Sequence, residues 1–343
     1  MISYLVLQKE LSYKEYDLVK TLFCDKKSPK DHSPIRYMGA KSGIYSFNLW
    51  MSNPDKNGYT HRTLNATILS GSKFVDHEPV DITDMIDMID SILKQNFITL
   101  TDSEWRIQKI NFKVLIRTVD SEMYIKLLSK AEPSVISNLK KSKGYKVTRI
   151  IDDYDPSKIE TIKESEGYDF SNDLMSVHFK KSDNKHVEMD IEIDGKYGMR
   201  RMAKEICVDN RNISSYDGKM DKVEKFFVVD ALKSITGVGD YYGIKEAERV
   251  IDGYTDITNK EKNKYVVVLN GVRRSRGIDY FLSNIDKGKI SSEDMRLIKN
   301  RKIAERMIDG LIKHKINPVT ITSRDENLGY KMLPNLLNCI WIY

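Results

Sequence analysis

The chain has 343 residues, of which 40% are hydrophobic and 31% charged, with a formal charge of +6. That length exceeds one ordinary domain, so two are expected, and 19 Tyr, 10 Phe and 3 Trp exclude the aromatic-poor composition of a disordered chain. The three cysteines, Cys24, Cys207 and Cys339, lack Cys-x-x-Cys or Cys/His spacing, so neither a disulfide framework nor a structural zinc site is indicated.

In chain order, Met1 to Gln8 reads as a strand. It leads directly from Met1 into Ile-Ser-Tyr-Leu-Val-Leu rather than a basic segment and signal core, so no exported form is expected. No run approaches the ~18 apolar residues that span a bilayer. A cytoplasmic, reducing location and no membrane partner are the expectations. Ser12 to Cys24 has helical apolar spacing, and Ile35 to Met38, Gly43 to Met51 and His61 to Leu69 are strand-like stretches separated by Pro, Gly, Asn and Asp. Asp81 is placed to cap a helix whose stripe is Ile82, Met85, Ile86, Ile89, Ile92 and Leu93. From Trp105 to Arg117 the period becomes two, with Ile110, Phe112, Val114 and Ile116 on one face of a half-buried strand.

Asp120 to Lys130 reads as a short helix, and Lys140 to about Asn172 as a loop-rich connection. Leu174 to Lys180, His186 to Asp194 and Val223 to Leu232 are further strand candidates. Beyond Ser234 helices dominate: Gly243 to Ile251, Asp279 to Ile285 and a long one from Ser292 to Lys315, whereas Lys260 to Gly271 fits helix or strand. Val319 to Leu333 reads as strand, turn and strand, which gives the order of a winged-helix module. The expected class is therefore α+β: an antiparallel sheet backed by helices over residues 1–233, then a basic, mostly helical, winged-helix-like domain with a terminal hairpin over 234–343.

The charge is unevenly distributed. From Ala231 onward there are 20 Lys/Arg and 14 Asp/Glu, against 36 of each before it. Arg273, Arg274, Arg276, Arg296, Lys299, Arg301 and Lys302 form the candidate phosphate-contacting set; a solvated helix face is the alternative.

In His186-Val-Glu-Met-Asp-Ile-Glu-Ile-Asp194, alternation puts Glu188, Asp190, Glu192 and Asp194 on one face, with i to i+2 neighbours about 7 Å apart. Carboxylates at that spacing repel unless water, Lys/Arg or a divalent cation screens them, and oxygen ligands suit Mg²⁺ or Mn²⁺. Either a metal site or a solvated face with cross-strand lysines satisfies the pattern. His178 and His186 sit on adjacent strand candidates, and Tyr197 follows the acidic strand most closely among the tyrosines. No Gly-Lys-Ser/Thr phosphate loop and no Gly-x-Ser-x-Gly elbow occurs.

Three phrases, Trp105-Arg-Ile-Gln-Lys-Ile-Asn-Phe112, Gly239-Asp-Tyr-Tyr-Gly-Ile-Lys-Glu-Ala247 and Lys315-Ile-Asn-Pro-Val-Thr-Ile321, give the segment from Arg62 to Pro334 a layout that resembles the rolling-circle replication initiators of Gram-positive plasmids and filamentous phages. The resemblance implies a protein that recognises a double-stranded origin and nicks one strand by tyrosine attack with a divalent metal. It also implies contact with single-stranded DNA and with a host helicase or polymerase. It would make Tyr197 the nucleophile and Glu188, Asp190, Glu192 and Asp230 the metal ligands. The chain departs from the group's pattern where that chemistry lies. Asn111 stands where an aspartate is expected, Ile193-Asp-Gly-Lys196 where the group has Tyr-Asp-Lys, and Phe226-Phe-Val-Val-Asp230 where it has Arg-Phe-Glu. An origin-binding, partition or regulatory protein that does not cut DNA is the alternative, and a homodimer joined through acidic and basic surfaces is a third reading.

Overall fold

A computed structural model describes residues 2–21, 35–42, 45–51, 62–70, 82–100, 104–131, 140–142, 167–172, 175–195, 216, 218–275 and 277–340. The expectations for Asp81, Tyr197 and Arg276 lie outside the described residues. The first elements are β1 (Ile2–Glu10), α1 (Tyr13–Thr21), β2 (Ile35–Ser42), β3 (Tyr45–Met51), β4 (Thr63–Ser70) and α2 (Ile82–Gln95). Next come β5 (Arg106–Arg117), α3 (Ser121–Leu128), β6 (Lys140–Ser142), β7 (Gly167–Ser171), β8 (Met175–Lys181), β9 (His186–Asp194) and α4 (Met220–Thr236). The rest comprises β10 (Tyr241–Tyr242), α5 (Ile244–Asp252), α6 (Asn259–Arg274), α7 (Ile278–Asp286), α8 (Ser292–Ile298), α9 (Arg301–Lys313), α10 (Ser323–Asn327), β11 (Met332–Leu333) and α11 (Leu336–Cys339).

Among the described residues nine strands follow the order β2-β3-β4-β1-β5-β9-β8-β7-β6, and β10 pairs separately with β11. The class is the expected one, an antiparallel sheet backed by helices. The chain divides into two compact units, Met1–Val114 with Asp173–Ser176 and Asp190–Phe227, and Leu115–Asn172 with Val177–Met189 and Val228–Tyr343.

In the first unit β1 lies between β4 and β5, antiparallel to both, with Leu5 opposite Ile68 on one side and Ile110 on the other. Leu5, Leu7, Leu64, Ala66, Ile68, Ile110 and Phe112 are buried, the last two in keeping with the period-two pattern of β5. Phe112 stacks on Phe227 near the middle of α4, with ring centroids 6.4 Å apart. Helix α2 buries Ile82, Met85, Ile89 and Leu93 along one stripe. It ends with Phe97 N–H bonded to the Lys94 carbonyl and Ile98 N–H to that of Leu93, both at 2.9 Å. That closing turn puts Phe97 at φ 59°, a position that favours glycine, with its ring 97% exposed. Gly195 closes on β5, its N–H 2.7 Å from the Gln108 carbonyl, and a Cβ there would run into the Ile107 carbonyl.

In the second unit Asp120 caps α3 by accepting from the backbone N–H groups of Glu122 and Met123. Tyr124 of α3 is fully buried, donates its hydroxyl to the Pro334 carbonyl at 2.7 Å and packs edge-on against Tyr241. The turn after α4 is fixed by two buried amides. Asn335 donates to the Thr236 and Gly239 carbonyls at 3.1 and 2.9 Å, and Asn317 donates to Thr236 at 2.6 Å. Helices α6, α7 and α9 approach closely at glycines: a Cβ on Gly271 would strike the Phe281 ring, and one on Gly310 the Tyr265 ring.

Four expectations are corrected. Val223 to Leu232 is not a strand but part of α4, because Val223, Phe227, Ala231 and Ile235 recur every four residues and are all buried. The connection from Lys140 to Asn172 contains β6 and β7, which pair with Lys141 opposite Phe170. The long helix from Ser292 to Lys315 is two helices. Lys299, at φ 61°, sits in a tight turn closed by Asn300 N–H to the Ile298 carbonyl at 2.7 Å, and the Asn300 side chain caps α9 by accepting from Ile303 N–H. The terminal hairpin is absent from Val319 to Leu333. Thr322 caps α10 instead, Ile321 N–H bonds the Tyr242 carbonyl, and β11 pairs with β10. Lys260 to Gly271, open between helix and strand, lies in α6, where Thr258 and Glu261 cap each other reciprocally.

Candidate functional site

The acidic strand has the alternation expected of it. Val187, Met189, Ile191 and Ile193 of β9 are fully buried, while Asp190, Glu192 and Asp194 on the other face are half-buried and Glu188 is 6% exposed. A carboxylate buried to that extent needs a compensating charge. Lys180 of β8 supplies it, with Nζ 2.6 Å from Glu188 Oε1 and the two side chains 18% and 8% exposed. Lys109 of β5 donates to Glu192 Oε1 at 2.8 Å, with both side chains more than two-fifths exposed. The first pair is held in a low-dielectric setting, whereas the second is a surface pair worth less than about 1 kcal/mol.

The two histidines each have an aspartate. His178 Nδ1 lies 2.7 Å from Asp169 Oδ1, and His186 Nδ1 lies 2.8 Å from Asp183 Oδ2. The Lys185 backbone N–H and the His186 ring hold the Asp183 carboxyl below the usual carboxylate range. Asn111 of β5 accepts a hydrogen bond from the Ser3 hydroxyl through its side-chain carbonyl. Asp230 is half-buried on helix α4, not on a strand beside β9.

No group of three or more His, Cys, Asp or Glu arranged to hold a metal is found among the described residues. Two of the proposed ligands, Glu188 and Glu192, face lysine ammonium groups, which screen their charge in the way the cross-strand-lysine alternative requires. The lysines were legible as outward positions of their strands, but their registry with Glu188 and Glu192 was not.

The basic set divides by its surroundings. Arg273 is mostly buried and 3.8 Å from Glu326, and Arg274 lies 3.5 Å from Asp294. Arg301 is bracketed by Glu305 and Asp286, at 2.8 and 2.9 Å, and those hydrogen bonds push its guanidinium further above its ordinary range. By contrast Arg296, Lys299 and Lys302 are exposed around the corner between α8 and α9 and carry no ion pair to a described residue. Two further exposed cations of α9, Arg306 and Lys313, were not singled out from the sequence. Their spacing from Lys302 was already contained in the helix expected from Ser292 to Lys315, but the search for runs of adjacent basic residues passed over them.

Among the described residues no helix is long and apolar enough to cross a membrane. Neither the protein-family models nor the curated proteins contain a match to this chain.

Proposed function

We propose that this chain is a duplex-DNA-binding protein of the replication-initiator kind that acts at an origin-like site without cutting it. The observation that carries this reading is the exposed placement of Arg296, Lys299 and Lys302 within the region that holds the chain's whole excess of positive charge. Exposed cations clustered in this way neutralise phosphates and release condensed counterions, which supplies most of the affinity for a duplex. The ion pairs of Glu188 with Lys180 and Glu192 with Lys109 favour the non-cutting form over metal-assisted nicking, because they use for internal neutralisation the carboxylates that a metal would need.

The test is retention of a labelled duplex by the full chain as salt is raised. Affinity is expected to fall steeply, with a log–log slope of roughly −0.9 for each phosphate neutralised. No retention at low salt would refute the reading. Incubation with supercoiled DNA and Mn²⁺ is expected to leave the plasmid supercoiled. A nick together with a protein–DNA adduct lost in Tyr197→Phe would instead assign the chain to the cutting class, in which the tyrosine oxygen bonds phosphorus and the 3′ oxygen leaves.

A further inference from the structure

Helix α9 has two unlike faces. Ala304, Met307, Ile308 and Leu311 are buried against the rest of the unit. On the opposite side Lys302, Arg306, Asp309 and Lys313 are exposed and recur at alternating spacings of four and three residues, so they form one stripe along the helix. Arg301 is not part of it, because Asp286 of α7 and Glu305 hold its guanidinium. That bracket, the Asn300 cap and the tight turn at Lys299 fix where α9 starts and how it is presented.

We infer that α9 is the element that enters the major groove, with Lys302 and Lys313 contacting phosphates on its two walls and Arg306 and Asp309 facing base edges; this rests on the DNA-binding function proposed above. From Lys302 to Lys313 the axis rises about 16 Å at about 1.5 Å per residue. The major groove is about 12 Å wide, so lysines at the two ends of the stripe reach opposite backbones while its middle lies over the bases. An aspartate within a cationic stripe is unfavourable against any uniformly anionic surface. Against base edges it has a partner, since a carboxylate accepts from the cytosine amino group as an arginine donates to guanine O6 and N7. The mixed stripe therefore fits a duplex better than an anionic lipid surface.

The test uses the full chain, a pool of randomised duplexes from which a preferred sequence is selected, and anionic phosphatidylserine vesicles. Lys302→Gln combined with Lys313→Gln is expected to reduce the magnitude of the salt slope by about 2, near 0.9 for each lost phosphate contact. Lys14→Gln combined with Lys94→Gln, which removes the same charge from exposed positions of α1 and α2, is expected to leave the slope unchanged. Arg306→Ala is expected to weaken binding to the selected sequence by roughly tenfold and to relax the preference at one base pair, with unselected duplex bound as before. Thermal unfolding of each variant should match the wild type, because all the altered side chains are exposed. An unchanged slope in the α9 variant, or an equal loss in the control pair, overturns the assignment to α9 while the wild type still binds DNA. A wild type that binds vesicles but no duplex overturns both this inference and the proposed function.

Discussion

Replacing Lys180 with Met removes the ammonium group 2.6 Å from Glu188 and leaves a side chain of similar length in the sheet. Breaking a fully buried ion pair from one side costs about 3–5 kcal/mol, because the remaining charge stays desolvated. Here the lysine is 18% exposed and the glutamate 8%, so water recovers part of that and the expected loss is about 2–3 kcal/mol. Urea unfolding followed by circular dichroism measures it. With its lysine gone the buried Glu188 favours its neutral form, so its pKa in the folded variant rises above the unfolded value. The penalty should therefore be largest near neutral pH and shrink as the pH falls through that raised value toward the unfolded one. The double change Lys180→Met with Glu188→Leu removes both charges and should return to within about 1 kcal/mol of the wild type. A single-variant loss below about 0.5 kcal/mol would place the pair among surface bridges and refute the reasoning. Calorimetric Mn²⁺ binding that appears in Lys180→Met would likewise show that the carboxylates form a cation site which the lysine had been filling.

Phe112→Ala should cost about 3–5 kcal/mol in denaturant unfolding, since the ring is fully buried and stacked on Phe227. Phe97→Gly should stabilise the chain by about 0.5–1 kcal/mol, because glycine relieves the left-handed backbone and the exposed ring gives up no burial; a lower melting temperature would contradict this. Asn300→Ala should lose about 1 kcal/mol with the α9 cap, read from thermal unfolding. Burial, reinforced by the charge of Asp240, pushes the Cys339 thiol up, so iodoacetamide at pH 8 should alkylate it slowly in the folded chain and quickly in urea, as peptide mass spectrometry would show.

The strongest sequence signals were those in which burial and periodicity agree. β9 has the bounds expected of it because four apolar residues alternate with four acids, and β5 was visible for the same reason. Val223 to Leu232 misled because the run Phe226-Phe-Val-Val favours strand locally, while the packing of Val223, Phe227, Ala231 and Ile235 on one stripe decides for helix. Capping chemistry was the neglected signal at the C-terminal end. Thr322 with Asp325 starts a helix where a hairpin was expected, and Asn300 starts one where a long helix was expected to continue. For the basic set, composition located the region but not the individual cations, because whether an arginine faces solvent or a carboxylate depends on neighbours distant in sequence. Arg301 and Asp286 meet only through the packing of α7 and α9.

The place of β1 between β4 and β5 has a consequence for how the chain is made. Its first strand can pair with β4 once Ser70 has left the ribosome, but its other edge has no partner until Ile107 to Phe112 have been added. At about 5–20 residues per second the interval from Ser70 to Phe112 lasts about 2–8 s. Throughout that time an apolar strand carries an open hydrogen-bonding edge that another nascent chain can occupy. Synthesis that stalls between β4 and β5 should therefore give aggregated rather than soluble product, and slower translation of that interval should worsen the yield.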